Sequence, residues 1–462
     1  MAGDMRSSSP FDVRFERVVI KSNRFGDYEF DITRNVIQFD IVESIDSLVL
    51  QGNLVILDND NLLETIDFQG QEFVLVECQK PERDLPPITR IFNITGIQAV
   101  TRGTNDQNEV FTLSLIDRNS YISELINVNK KYDGNPLSII RSIMNDVYAN
   151  VDPPREFVTT EAQTFQQNMR VIIPNWRPYV AMKWMCNRST SSTGSPFYLW
   201  SVWRDDDLRF FDLETMLQRP AINEGMPYKF NQSLTANASE YTVQSQGYFI
   251  VDFMLPPQEQ IIPLLRQGNI GAHYSFLDTQ NFADNSFHFD IKKVFDNMNK
   301  NTTLTEKKRS PTYDDEFVMG TKHLHEYDTK RTMQIGTTGL YNDIPGYYED
   351  VTPAHHSTKA IAKALREFTF KTPLKIKVPG RNFLPLPGDE YANTGCGNVI
   401  EIEFIDNEPI VKGKDYSQHT DRKRSGNYLI KKIRHVIQRD GPKAQHVCYI
   451  DCVKLSNTEG AT

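Results

Sequence analysis

His323-Leu324-His325-Glu326 would set two imidazoles on one face of a strand, where they could ligate a transition metal, and His355-His356 could supply another ligand. No third ligand stands at a recognisable metal spacing, so the sequence predicts a solvated polar patch. Asp58-Asn59-Asp60 has the opening of a calcium loop, but the glycine and the distal bidentate glutamate are missing at the required offsets, which leaves a turn. Glu401 and Glu403 share one strand face and have the residue types of a general acid and base pair, as in sugar hydrolysis. Their alternation with Ile400, Ile402 and Phe404 predicts instead a wet face of a half-buried strand. Lys412, Lys414, Arg422, Lys423, Arg424, Lys431, Lys432 and Arg434 form the strongest local charge feature, read as a solvated hairpin loop running into an exposed strand face. G-x-S-x-G, G-x-G-x-x-G, Walker and H-E-x-x-H motifs are absent. The reading is therefore no enzyme, with no catalytic, cofactor-binding or metal-binding residue and no cofactor.

The elements that carry these residues are mostly strands. From Phe11 to about Asp117, Ile37, Phe39 and Ile41 alternate with Gln38 and Asp40, and Phe111, Leu113 and Leu115 alternate with Thr112 and Ser114. Residues 54–57 are apolar on both sides and are expected between two layers. After Gly134 the period changes: Asn135 is a candidate N-cap, Pro136 the first helical residue, and Leu137, Ile140, Ile143, Met144 and Val147 one apolar stripe. A second helix is expected after Trp176-Arg177-Pro178, with Ala181, Trp184 and Met185 on one face, then a hairpin around Arg204-Asp205-Asp206-Asp207. Strand character returns at 231–253, a polar stretch follows from 255 to 345, and a helix is expected from Ser357 with Ile361, Ala364, Leu365 and Phe368 inward.

The last eighty or so residues read as an ordered series of strands and turns, through Leu374-Lys375-Ile376-Lys377-Val378, the turns Pro379-Gly380 and Pro387-Gly388, and strands near 399–404, 427–436 and 446–453. The front of the chain has the same order, with Gly70-Gln71-Glu72 where the rear has Gly388-Asp389-Glu390. Two units built alike predict a scaffold with internal pseudo-symmetry.

Composition bounds the function class. A chain of 462 residues is too long for one compact core, and about two to four domains are expected. A formal charge of −9 argues against a surface that grips nucleic acid, because such binding neutralises phosphates with many Lys and Arg. The five cysteines include no C-x-x-C pair, which predicts a reducing place of assembly. No apolar run approaches a membrane span, and no secretory signal is expected.

In residues 36–42, 52–58 and 70–72, in the helix from Pro136, in Ile173-Pro174-Asn175-Trp176 and residues 198–203 and 210–212, and in Leu386-Pro387-Gly388 with residues 427–435, the chain resembles the central baseplate hub protein of large contractile-tailed (myovirus) phages. It is more distantly similar to the hub part of type VI secretion spike proteins. The resemblance covers most of the chain outside 255–345. It implies a mainly β, α+β fold: a first tail-tube-like β-barrel at 10–120, an α/β middle domain at 121–225, a second such barrel at 226–255 and 346–456, and an insertion domain at 256–345. It also implies a homotrimer forming a pseudo-hexameric ring between the six-fold tail tube and the three-fold central spike, with baseplate wedge proteins outside. DNA would pass through without specific binding, and the protein would sit in the virion tail baseplate after assembly in the host cytoplasm. Competing readings are a peptidoglycan hydrolase at the tail tip and a carbohydrate-binding β-protein, for which Trp176, Trp184, Trp200 and Trp203 would have to line a groove.

Overall fold

The computed structural model describes residues 9–454 apart from 80–86, 103–107, 150–156, 160–164, 166–167, 231–246, 257–260, 280–281, 283, 295–316, 337–352, 370–372, 385–394, 405–420, 422–423 and 442. The front of the chain supplies β1 (Asp12–Lys21), β2 (Glu29–Asp31), β3 (Val36–Ser44), β4 (Gln51–Asp58), β5 (Phe73–Gln79), β6 (Ile88–Arg102) and β7 (Glu109–Asp117). The middle adds β8 (Val128–Gly134), β9 (Phe157–Val158), β10 (Met169–Trp176), β11 (Phe197–Ser201) and β12 (Leu208–Asp212). Then come β13 (Tyr228–Phe230), β14 (Phe249–Ile250), β15 (Asp252–Met254), β16 (Gly271–Asp278), β17 (Asp284–Asp290), β18 (Phe317–Met319), β19 (Lys322–His323) and β20 (Arg331–Gly336). The rear strands are β21 (Pro373–Pro379), β22 (Val399–Glu403), β23 (Gly426–Asp440) and β24 (Lys443–Lys454).

The expectation of two separate tube-like barrels is corrected. Front and rear strands form one mixed sheet of 14 strands in the order β14-β13-β22-β23-β3-β4-β7-β6-β5-β1-β24-β21-β15, with β2 beside β1 and β23 paired also with β24, so the two units are not separate bodies. The physical reason is the length of the last hairpin. One edge of β23 pairs with β24, while its other edge pairs with β22 over Gly426 to Leu429 and with β3 over Lys432 to Gln438. A bulge between Ile430 and Lys432 marks the change of neighbour, and a bulge is the device by which a strand bends to meet a new partner. On the far edge of β24 the neighbour changes from β21 to β1 at His446, whose amide donates to the Phe11 carbonyl at 2.7 Å.

Three apolar clusters surround this sheet. Phe39, Phe92 and Phe111 centre the front one, and Ile140, Met182 and Phe210 the middle one. Ile400, Ile433 and Ile450 belong to the rear one, together with Leu264, Ala272 and Phe289. The hairpin β11/β12 is buried on both faces, and its alternation divides the clusters: Phe197, Leu199 and Phe210 face the middle, whereas Tyr198, Trp200 and Phe211 face the rear. Beyond it, Trp203 enters the front cluster. The polar stretch after 255 has more order than its composition predicts. Its strands β17-β16-β20 form a sheet, and that sheet leans its apolar residues on the rear cluster through the helix Pro353–Thr369. That helix begins before Ser357, so Ser357 lies within it and does not cap it.

Local chemistry explains the starts of elements. Asn135 accepts from the Ser138 amide at 2.8 Å and Pro136 follows at the first helical position, as expected. β4 alternates after all, with Leu54 and Ile56 buried and Val55 and Leu57 half-buried, so only one of its faces is fully enclosed. Gly70 holds φ +80, and the turn it opens aims the amides of Gln69, Gly70 and Gln71 at one Glu72 carboxyl oxygen, at 3.1, 3.0 and 3.2 Å. Arg24 meets the other oxygen at 2.8 Å. The counterpart at Gly388-Asp389-Glu390 lies outside the described residues.

Glu72 is fully buried, and removing it strands these donors. Glu72→Ala is expected to cost roughly 3 kcal/mol, the low end for a broken buried pair because Arg24 keeps some solvent contact. Urea unfolding measures it, and an unchanged midpoint would refute this role.

Candidate functional site

The residues singled out by type and spacing are not brought together. His325 is buried with Nε2 3.9 Å from Asp290 Oδ2, and its ring stacks on His323 with centroids 5.6 Å apart. The His356 ring packs against Phe276, and the His355 side chain lies outside the described residues. Asp58 serves the turn: one oxygen accepts from the amides of Asp60 and Leu62, both at 3.0 Å, and the other from Leu63 at 3.3 Å. Glu403 is paired with Lys229 at 2.9 Å, and Glu401 accepts from the Gly225 amide at 3.4 Å, on a half-buried strand face.

The basic cluster is divided. Lys412, Lys414, Arg422 and Lys423 lie outside the described residues. Lys431 pairs with Asp46 at 3.3 Å and Arg434 with the buried Asp40. Lys432 and Arg434 also line a groove of about 300 Å³ with Lys375, Lys377 and Tyr449, where these four basic groups stand beside the carboxylates of Asp252 and Asp451. Trp200 and Trp203 are buried, and Trp176 meets Trp184 edge-on at 5.5 Å, so these four rings do not line a groove.

The constellation that the fold does build lies at the seam of the hairpin. His435 on β23 stands opposite Cys448 on β24, and His446, two residues before Cys448, shares its face. His435 Nδ1 is 3.2 Å from His446 Nε2, and Cys448 Sγ is 3.5 Å and 3.4 Å from those two nitrogens. The three residues are 3%, 0% and 0% exposed. Each side of the seam contributes to holding them. From β3, Glu43 Oε1 lies 3.7 Å from His435 Nε2, an ion-pair distance longer than a hydrogen bond. From the middle, the Trp203 ring sits 4.8 Å from that of His435 and 5.9 Å from that of His446, while its amide donates to Glu43 Oε2 at 3.0 Å. At the rear, Gly380 leaves room for the His446 ring, because a Cβ there would come within 2.1 Å of it.

Burial pushes the Cys448 thiol well above its ordinary value, and the nearby Glu43 adds to the shift. Among the described residues this is the one group of three His, Cys, Asp or Glu side chains close enough to share an ion. Sequence reasoning passed over it. The His446-x-Cys448 spacing was visible on a strand, but the third member comes from the register of the hairpin.

No family model and no curated protein matches the chain. Among solved structures it is similar to the tail protein from Neisseria meningitidis MC58, with a TM-score of 0.48 and 11% identity over 95% of this chain and 97% of that one. It is also similar to the 43 kDa tail protein of prophage MuSo2 from Shewanella oneidensis, with a TM-score of 0.49 and 10% identity over 95% and 98%. The E. coli c3393 protein, a component of the type VI secretion system described as structurally similar to T4 bacteriophage tail proteins gp27 and gp5, gives 0.40 and 10% over 92% and 76%.

All five cysteines are free and buried. Burial pushes the Cys186 thiol from 9.0 up to about 11, and moves Cys78 upward as well. An unfolded thiol loses its proton first as pH rises. The stability these groups contribute is therefore complete below the unfolded value and is lost as pH climbs through the folded one. The urea midpoint is expected to fall between pH 9.0 and about 11, and a flat profile across that window would contradict the burial of these thiols.

Proposed function

We propose that the chain is the structural hub of a contractile phage tail baseplate: three copies ring the tail axis, join tail tube to central spike, and let DNA pass. The observation that carries this reading is the shared hairpin. It joins the front and rear strands, which the sequence reads as two units of like order, into one sheet, so each chain would act as a single arc of a ring. Three such arcs offer six related positions to a six-fold tube and three to a spike, which fits the resemblance noted in the sequence. Association would rest on apolar burial with polar rims. Met333 and Ile335, each 61% exposed on one face of β20, and Leu125 and Ile172 elsewhere, are exposed apolar side chains available for neighbouring subunits or wedge proteins. The net charge of −9 suits a conduit that DNA must traverse without adhering.

No step in this role requires catalysis. The mechanism is geometric: a continuous hydrogen-bonded sheet passes load between tube and spike without a flexible linker at the seam.

Light scattering across a concentration series tests the reading. The expected mass is about 160 kDa, three times the 53.2 kDa chain. A chain that stays monomeric both alone and with the trimeric spike protein would overturn it.

A further inference from the structure

We propose that His435, His446 and Cys448 bind one borderline-soft transition-metal ion of the zinc class, which staples the hairpin at the seam. The distances favour an ion. Zinc bonds of about 2.0–2.1 Å to nitrogen and about 2.3 Å to sulfur, at tetrahedral angles, put two nitrogens about 3.3 Å apart and nitrogen and sulfur about 3.6 Å apart. The observed separations are 3.2, 3.4 and 3.5 Å.

A purely hydrogen-bonded trio fits less well. A hydrogen bond between the two ring nitrogens puts a hydrogen on only one of them and the thiol carries one more, so three contacts share two hydrogens and cannot each be an ordinary hydrogen bond. At least one of the three contacts is then a close approach without a bond of its own. One ion placed among the three lone pairs accounts for all of them together.

The surroundings match a metal site in a second respect. A metal-bound imidazole commonly directs its other nitrogen at a carboxylate, which fixes the tautomer and makes the ligand more basic. His435 has Nδ1 in the triangle and Nε2 toward Glu43, and Glu43 is itself held by the Trp203 amide. Trp203 and the bare backbone at Gly380 confine the rings, so the three donors are placed before any ion arrives. Binding would release the Cys448 proton to solvent and leave a thiolate on the ion, with no change of oxidation state. Three protein ligands leave one position for a water. The burial of all three gives the ion a structural task, which is to hold β23 and β24 together where front and rear strands share them. This inference stands independently of the hub reading.

The test uses the full chain purified without a metal-chelating tag. Mass spectrometry of the metal content is expected to find about one ion per chain. After chelation and loading with cobalt(II), a thiolate-to-cobalt charge-transfer band should appear in the near ultraviolet. Cys448→Ser should lose that band, and Cys452→Ser should keep it, since Cys452 on the same strand instead donates to the Leu374 carbonyl. An intact chain that carries no ion and takes up no cobalt would overturn the proposal even if Cys448→Ser fails to fold. So would a band that persists in a folded Cys448→Ser variant.

Discussion

The whole arrangement depends on one constraint: the strands of the last hairpin are hydrogen-bonded on both edges, and along part of their length those edges belong to different parts of the chain. Over Lys432 to Val436, β23 lies between β3 of the front and its own partner β24, while β24 there lies against β21 of the rear. The pairing cannot slip. A shift of one residue would turn the buried Ile433, His435 and Ile437 to the opposite face. The bulge at Lys431 releases the strand from β22 and lets it meet β3, and Lys431 itself is directed outward to Asp46.

Fixing this hairpin also fixes the polar residues around it. Glu43, His435 and His446 are buried at the seam and Asp40 beside it, in places where an isolated charge or unpaired imidazole would be costly. Each has neighbours drawn from other elements: Arg434 for Asp40, Trp203 for Glu43, Cys448 for His435 and His435 for His446. The middle hairpin β11/β12 continues the theme, because its two faces feed different apolar clusters and Trp203 reaches the third. A body joined in this way transmits force as a unit. That property is what the proposed hub role needs, and the candidate pair Glu401 and Glu403 makes ordinary strand-face contacts.

Much of the fold was legible in the sequence because local patterns carry it. Period-two alternation marked the strands near residues 36–42 and 110–116, Asn135-Pro136 marked a helix start, and Arg204-Asp205-Asp206-Asp207 marked a hairpin. Pairing between strands some four hundred residues apart leaves no local trace. Alternation shows that β3 and β23 are half-buried, but nothing in it says that they lie side by side, and two barrels were the natural misreading of two like units. The helix start at Pro353 was missed because Ser357 is a good N-cap by type, whereas the capping position is decided by where the chain enters the helix. The seam triangle was hidden for a related reason. His446 and Cys448 sit in one strand, but His435 joins them only through the hairpin register, so a search for ligand spacing along the chain could not find it.

The most direct test of the central claim is hydrogen exchange followed by mass spectrometry across a urea series. If the shared hairpin holds the two units together, amides of β23 and β24 should be the slowest to exchange, and front strands β3 to β7 and rear strands β21 and β22 should lose protection in the same transition as the hairpin. Loss of the front strands at lower urea, with the hairpin and rear strands still protected, would contradict the account and show that the two units are separable.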